Sequence, residues 1–423
     1  MKKNYLQLSI LLLACFFFQG CVKDSLTTTY TYFSPVYKSK AEVLQSIKSG
    51  APQPLQTTGK LFILGNYIFV NELNKGVHII DNSNPASPKN SSFISIPGNI
   101  DIAVKNNTLY ADLFTDMITL DISNASNVQI KKVTEGVFPE RDYGSGFRPD
   151  STKYIVDWIK GETTDKQQLD RDLFPNPSVL WLSSTQMQNS PAASSTKIGV
   201  SGSMARFTIV NNYLYTVGQS SLTAFNISST ANPVQESVKT LGWNIETIYP
   251  LKDKLFIGSQ TGMSIYSIAN PADPSFLSTF SHACFRDPVI ADDEYAYVTL
   301  RAMPNAIACG NGIAAQRNEL DIVNISNIME ASLVKIYDMA EPKGLSKDGD
   351  YLFICDGKAG LKIYNAADVQ NLKLIKTIDD INPFDIIAQS GNAIVVADEG
   401  IYQFDYSNIN NIKMVSKIAI SKK

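Results

Sequence analysis

VHIID at 77–81 decides the fold, because the same short phrase returns along the chain. It reads MITLD at 117–121, LTAFN at 222–226, MSIYS at 263–267, LDIVN at 320–324, LKIYN at 361–365 and IYQFD at 401–405. Each copy is an apolar strand ending on Asp, Asn or Ser, and several run into turns such as Asn84-Pro85 and Asn270-Pro271. There an Asx side chain can accept a hydrogen bond from its own backbone while proline fixes φ. Most copies follow one another at about 40 residues, the spacing of propeller repeats. Between 121 and 226 there is room for two units, one of them degenerate and lying within 122–200.

The surroundings of each phrase repeat as well. In the second unit Ile100–Val104, Thr108–Ala111, Met117–Asp121 and Val128–Val133 read as four short strands. Asn106-Asn107, Asp348-Gly349 and Gly391-Asn392 supply the positive φ angles that tight hairpins require. Four strands per period is the pattern of a propeller blade. No stretch of helical periodicity is long enough to supply a βα solenoid. Leu61–Leu64 and Ile394–Ala397 are apolar on both faces, as expected of a sheet sandwiched between two others. Closing the sheets radially also removes exposed edges. The expected fold is all-β, a β-propeller of about eight four-stranded blades, or seven if the weak third unit is no blade.

The N-terminus reads as an export signal. Lys2 and Lys3 precede an apolar run, Leu6–Phe18, that is too short to span a bilayer. Gly20-Cys21 then places a small residue before a cysteine, the arrangement a lipoprotein peptidase requires. Leu13-Ala14-Cys15 is a second such box, but cutting there would leave Phe16-Phe17-Phe18 exposed at the start of the mature chain. Cys21 is therefore the expected lipidation site. Residues 1–20 read as a lipoprotein signal peptide, 21–53 as a lipidated tether and N-terminal segment, and 54–420 as the propeller.

With VHIIDNSNP at 77–85 and MITLDISN at 117–124 as its nearest stretches, the chain resembles the LVIVD-repeat β-propeller lipoproteins of Bacteroidetes-type bacteria, over about residues 54–420. Ser267 and the weak third unit depart from that pattern. The resemblance implies the propeller and a lipid-anchored place in the cell envelope, at the outer membrane. It implies no reaction, because the family is defined by repeat and location, so function has to be read from sites.

Composition narrows the chemistry. A formal charge of −3 without a basic block argues against nucleic acid as a partner. His78 and His282 are the only histidines, which leaves little imidazole chemistry, and no nucleophile elbow, zinc motif or haem attachment sequence is present. No cofactor or metal is expected. The Asp and Asn residues ending the phrases read as turn caps, since calcium loops need several carboxylates each. His78 reads as a packed core residue between blades.

Charged residues recur at the start of the innermost strand of successive units: Asp101, Arg206, Glu246, Asp287, Lys343 and Asp385. Arg286 stands beside Asp287, Trp243 just precedes Glu246, and Arg141-Asp142 is the counterpart in the third unit. They read either as loop ends pairing across blades or as a polar mouth for an anionic or polyhydroxy ligand. Two insertions, Lys160–Pro177 and Arg301–Asn318, are expected between second and third strands on the same face, where binding loops gather. Cys284 and Cys309 are expected to form a disulfide over this face, with a metal pair to His282 as the competitor. Cys355 reads as a buried thiol. The expected function is a non-catalytic binding or scaffolding module for a glycan, peptide or protein partner, held to a membrane through its N-terminal lipid. The alternative is a propeller hydrolase or lyase using paired carboxylates such as Glu246 and Asp287.

Overall fold

The computed structural model describes residues 25–141, 151–168, 192–193, 200–242, 244–282, 288–302 and 317–421. They belong to two compact units. One comprises Met1–Tyr37 with Ile155–Thr185, the other Lys38–Tyr154 with Gln186–Lys423.

The described part of the first unit is a two-stranded sheet built from Ser25–Ser39 and Lys153–Gln168. Tyr32 lies over Gly161, its ring filling the space a Cβ would need. Residues 160–168 thus continue a ribbon strand and do not form a loop within a blade, which corrects the reading of Lys160–Pro177; residues 169–177 lie outside the described residues.

The second unit is a ring of seven four-stranded antiparallel blades. Blade 1 runs through Thr58–Leu64, Tyr67–Glu72, Gly76–Asp81 and Lys89–Ser95. Blades 2 to 7 begin at Ile102, Phe207, Ile245, Val289, Leu345 and Pro383 and end at Thr134, Thr240, Ser281, Asp338, Ile378 and Ala419. The first strands of consecutive blades touch around the axis, and blade 7 meets blade 1. The count is seven, the lower of the two expected, because the stretch from Asp121 to Asn226 holds a single blade. Its other described residues include the fourth strand of blade 2, the ribbon strand and the strand Val200–Ser203. Arg141 accordingly starts no blade and reaches back to blade 2.

The repeated phrase has one physical role throughout. Asp81, Asp121, Asn226, Ser267, Asn324, Asn365 and Asp405 each accept, through the side chain, the backbone N–H two residues on, at 2.9–3.2 Å. The residue after each donates its N–H to the hairpin between first and second strands, as Ile122 does to Asn107 and Tyr406 to Gly391 at 2.8 Å. Every pairing of third and fourth strands also carries a bulge, between Ile79 and Ile80 in blade 1 and at the matching place in the other six. A bulge adds local twist, which lets neighbouring blades splay around a ring.

Between blades the packing is apolar, with tyrosines as ties. Tyr110, Tyr215 and Tyr337 each donate a phenolic hydrogen bond to a carbonyl of the following blade, at Thr230, Pro271 and Val369, over 2.8–2.9 Å. Ring closure uses side chains. Leu61, Val70 and Ile80 pack on Ile387, Ile394 and Val396, and Asn82 exchanges two amide hydrogen bonds with Gln403, at 3.0 and 2.7 Å. Each fully buried aliphatic side chain contributes about 1.5–3 kcal/mol.

Residues 38–53, which precede the expected propeller, pack within its unit. Ser39 and Glu42 form a capping box on the helix Lys40–Ser46, and Lys48–Gly50 adds a strand outside blade 1. Lys40 Nζ and the Tyr154 hydroxyl converge on Asp116, at 2.7 and 2.6 Å, which fixes the segment to blade 2.

Candidate functional site on the upper face

The innermost strands start on one face of the ring, where the connections between second and third strands also lie. Asp101, Arg206 and Asp385 occupy matching places there, and Lys60 is the blade 1 member of the set; Glu246 and Lys343 lie one residue before the matching Thr247 and Gly344. Sequence reading passed over Lys60 because it sits in an apolar strand; aligning Leu61 with Ile102 and Ile386 would have found it. Lys60 Nζ bonds Asp101 at 2.8 Å, and Asp101 accepts the backbone N–H groups of Arg206 and Ile102. Burial pushes Asp101 up and Lys60 down from their ordinary ranges, each opposed by the other's charge.

The axis of the ring is filled. Val200–Ser203 pairs with the innermost strand of blade 1, Ser203 Oγ accepts the N–H of Leu345, and the carbonyl of Ala205 accepts that of Ile248. Gly202 presses on Asp385 so closely that a Cβ there would fall inside the carboxylate. Asp385 is 0 % exposed, neither oxygen makes a well-formed hydrogen bond, and burial raises its pKa well above the usual range. The N–H groups of Ile386 and Ser203 lie near enough to oppose that rise in part. Asp101 and Asp385 are therefore covered, and the expectation of an open charged mouth is corrected for both. The covering residues come from the segment before blade 3, remote in sequence from either carboxylate.

Arg206, Glu246 and Lys343 stay half-buried. Arg206 reaches the carbonyl of Ile245 at 3.4 Å, Gln260 donates to Glu246 at 3.1 Å, and Lys343 pairs with Glu341 at 3.3 Å. Glu341 also lies 3.8 Å from Arg301, at the start of the long connection of blade 5. Trp243, Arg286, Asp287, Cys284, Cys309 and Cys21 lie outside the described residues. Cys355 is a buried free thiol whose pKa burial pushes up. Among the described residues, no group of three or more His, Cys, Asp or Glu side chains is arranged to hold a metal.

Other buried charges on this face are answered locally. His78, its ring tilted against Phe93 at 4.8 Å, bonds Glu72 at 3.2 Å. Burial opposes ionisation of Glu72, but hydrogen bonds from His78, the N–H groups of Gln56 and Thr57, and Lys75 bring its pKa down to about 2. Asp356 pairs with Lys362 and accepts the N–H of Glu341. Arg141 bonds Asp112 at 2.5 Å and the carbonyls of Phe114 and Gly98 at 3.0 Å.

Blade 5 is different. Glu319 and Asp321 alternate along its third strand, both are buried, and Glu319 Oε2 and Asp321 Oδ1 have no hydrogen-bond partner. Burial, then the charge of Glu319, pushes Asp321 up to about 6, with His282 opposing the shift. Burial likewise raises Glu319. The signal in the sequence was a charge inside the apolar phrase, LDIVN, where a strand sandwiched between blades carries an apolar or paired residue elsewhere.

The LVIVD repeat family matches the chain at residues 57–92 and 313–339. No curated protein matches it. Among solved structures, the computationally designed Ika8 protein is similar with a TM-score of 0.51 at 9% identity, covering 88% of this chain and 93% of that one. A protein from Lactobacillus plantarum gives 0.50 at 9%, over 86% and 97%. Sqt1 of Saccharomyces cerevisiae gives 0.50 at 6%, over 88% and 87%. At such identities the likeness is one of fold alone. The chain carries LVIVD repeats at two places, within a seven-bladed β-propeller.

Proposed function

We propose that this protein is a cell-envelope lipoprotein, anchored through Cys21 at the outer membrane, whose propeller binds or scaffolds a glycan, peptide or protein partner without catalysis. A β-propeller fits a binding or scaffolding role. The observation that carries the reading is the filled axis: with residues 200–205 inside the ring, a partner would meet the charges of the upper face at a surface and not within an open channel. Arg206, Glu246, Glu341 and Lys343 keep partial exposure there, and Arg301 and Asn318, the described ends of the connection between the second and third strands of blade 5, lie on the same face. Ties between blades stiffen the ring that carries this face, which lowers the ordering cost of binding.

The test is a glycan array and an envelope pull-down with the mature chain, repeated with Arg206→Glu and Lys343→Glu. Capture lost in the charge reversals, with melting temperature retained, supports the upper face as the binding surface. Capture unchanged in both variants would overturn it. Turnover of a captured glycan that disappears in Glu246→Gln would replace the binder by the hydrolase or lyase reading, since a neutral amide cannot shuttle a proton. Cys21→Ser should release the chain from membranes and Cys15→Ser should not; the reverse would move the anchor.

A further inference from the structure

We propose that Glu319 and Asp321 form a receptor for one cationic side chain, a lysine or arginine of a peptide or protein partner, where blade 5 packs on blade 4. This rests on reading the upper face as a binding surface and names what one part of it takes.

The repeat supplies its own control. Three residues before the capping residue, the third strand carries His78 in blade 1, Lys362 in blade 6 and Asp321 in blade 5. His78 is answered by Glu72 and Lys362 by Asp356, each at the end of the second strand of its own blade. The matching part of blade 5 reads Thr299-Leu300, with no cation at either position, and among the described residues outside the strand it is His282 whose positive charge acts on both carboxylates. Asp321 is 4 % exposed and Glu319 7 %, each with an oxygen lacking any hydrogen-bond partner, and the paired cation of Glu319, Arg317, stands 3.8 Å off and 69 % exposed.

Alternation along the strand sets the direction. Leu320 and Ile322 pack on blade 6, while Val323 packs with Met263 and Ile265 of blade 4. Glu319 and Asp321 share the face of Val323, so both turn toward blade 4, whose outer strand ends beside His282. Two buried like charges, each with one oxygen lacking a hydrogen bond, are costly beside apolar side chains until an opposite charge arrives. Successive same-face positions lie about 7 Å apart on a strand, a spread that a guanidinium or ammonium can bridge with charge-assisted bonds. Its alkyl stem would lie against Met263 and Leu300, as long cationic side chains do on apolar walls.

The experiment follows binding of fluorescent hexalysine and hexaarginine to the mature chain by anisotropy, with acetylated hexalysine as control. Asp321→Asn and Glu319→Gln keep shape and remove charge. Each should weaken binding of the cationic peptides about tenfold, the scale of one charge-assisted contact, with the melting temperature equal to or above that of the parent. Asp338→Asn, at a site 84 % exposed, should change it less than about twofold. Equal affinity in all four proteins, or no affinity for either cationic peptide, would overturn the proposal. So would calcium binding that the same two variants abolish, since that makes the site a metal site. A partner captured through Arg206 and Lys343 while hexalysine fails to bind would sink this inference and leave the upper-face reading standing. Hexalysine binding that needs Asp321, with no effect of Arg206 or Lys343 on captured partners, would do the opposite.

Discussion

Replacing Asp321 by Asn should stabilise the protein at neutral pH, against the usual cost of a core substitution. The folded carboxyl titrates at about 6 against an ordinary 3.8. Burial is the main cause and the neighbouring Glu319 charge the second, with His282 pulling the other way. A separation of about two units corresponds to about 3 kcal/mol, and screening by nearby solvent trims this to about 2. The folded value is raised, so the stabilising contribution of this group is complete below 3.8 and lost as pH rises through 6. At pH 7.5 the ionised group therefore works against folding, and Asn, neutral throughout, escapes that penalty. Urea unfolding of parent and variant at pH 7.5, 6, 5 and 4 should show a gain of about 2 kcal/mol that shrinks toward zero in acid. For a ring of this size the gain is a rise in melting temperature of about 2–4 °C. A variant less stable at every pH, with a difference that does not move with pH, would refute the reasoning and make Asp321 part of a satisfied network.

Glu72 should behave with the opposite sign. Its folded pKa is depressed to about 2 against 4.5, so its contribution is present above 4.5 and lost as pH falls through 2. Glu72→Gln should cost about 2 kcal/mol at pH 7 after allowance for screening, and less in acid; a cost independent of pH would contradict the assignment. Gly202→Ala should destabilise by about 1–3 kcal/mol through overpacking against Asp385, and Asp385→Ala in the same chain should return part of that loss. Free tolerance of the single alanine would mean the axis is not filled as described. Intact-mass analysis of exported protein without reductant should find Cys284 and Cys309 joined and Cys355 free, and three free thiols would reject the bridge.

Much of this protein was legible before any coordinates, because its decisive interactions are local. Asp81, Asp121 and Asn365 cap turns two residues away, so their role shows in a window of a few residues. Four strands per period follow from alternation and hairpin residues for the same reason, and His78 read as packed core is packed core. Pairing of solvated loop ends across blades was one of two readings of the charged positions; the ion pair of Lys60 with Asp101 does cross blades, but it is buried and uses a lysine outside those positions. What needed the tertiary structure is everything decided between distant segments. The blade count depends on whether residues 122–206 form a blade of their own, and the described ones supply the fourth strand of blade 2, a ribbon strand and a strand along the axis instead. Asp101 and Asp385 looked like open loop charges until residues 200–206 were seen to cover them; no local pattern encodes what lies on top of a side chain. Glu319 and Asp321 lie in plain view in the sequence, two residues apart. Which neighbour they face, and that one buried oxygen of each stays without a hydrogen bond, is set by the packing of blade 5 on blade 4, because the penalty for a buried carboxylate depends on its surroundings and not on its place in the chain.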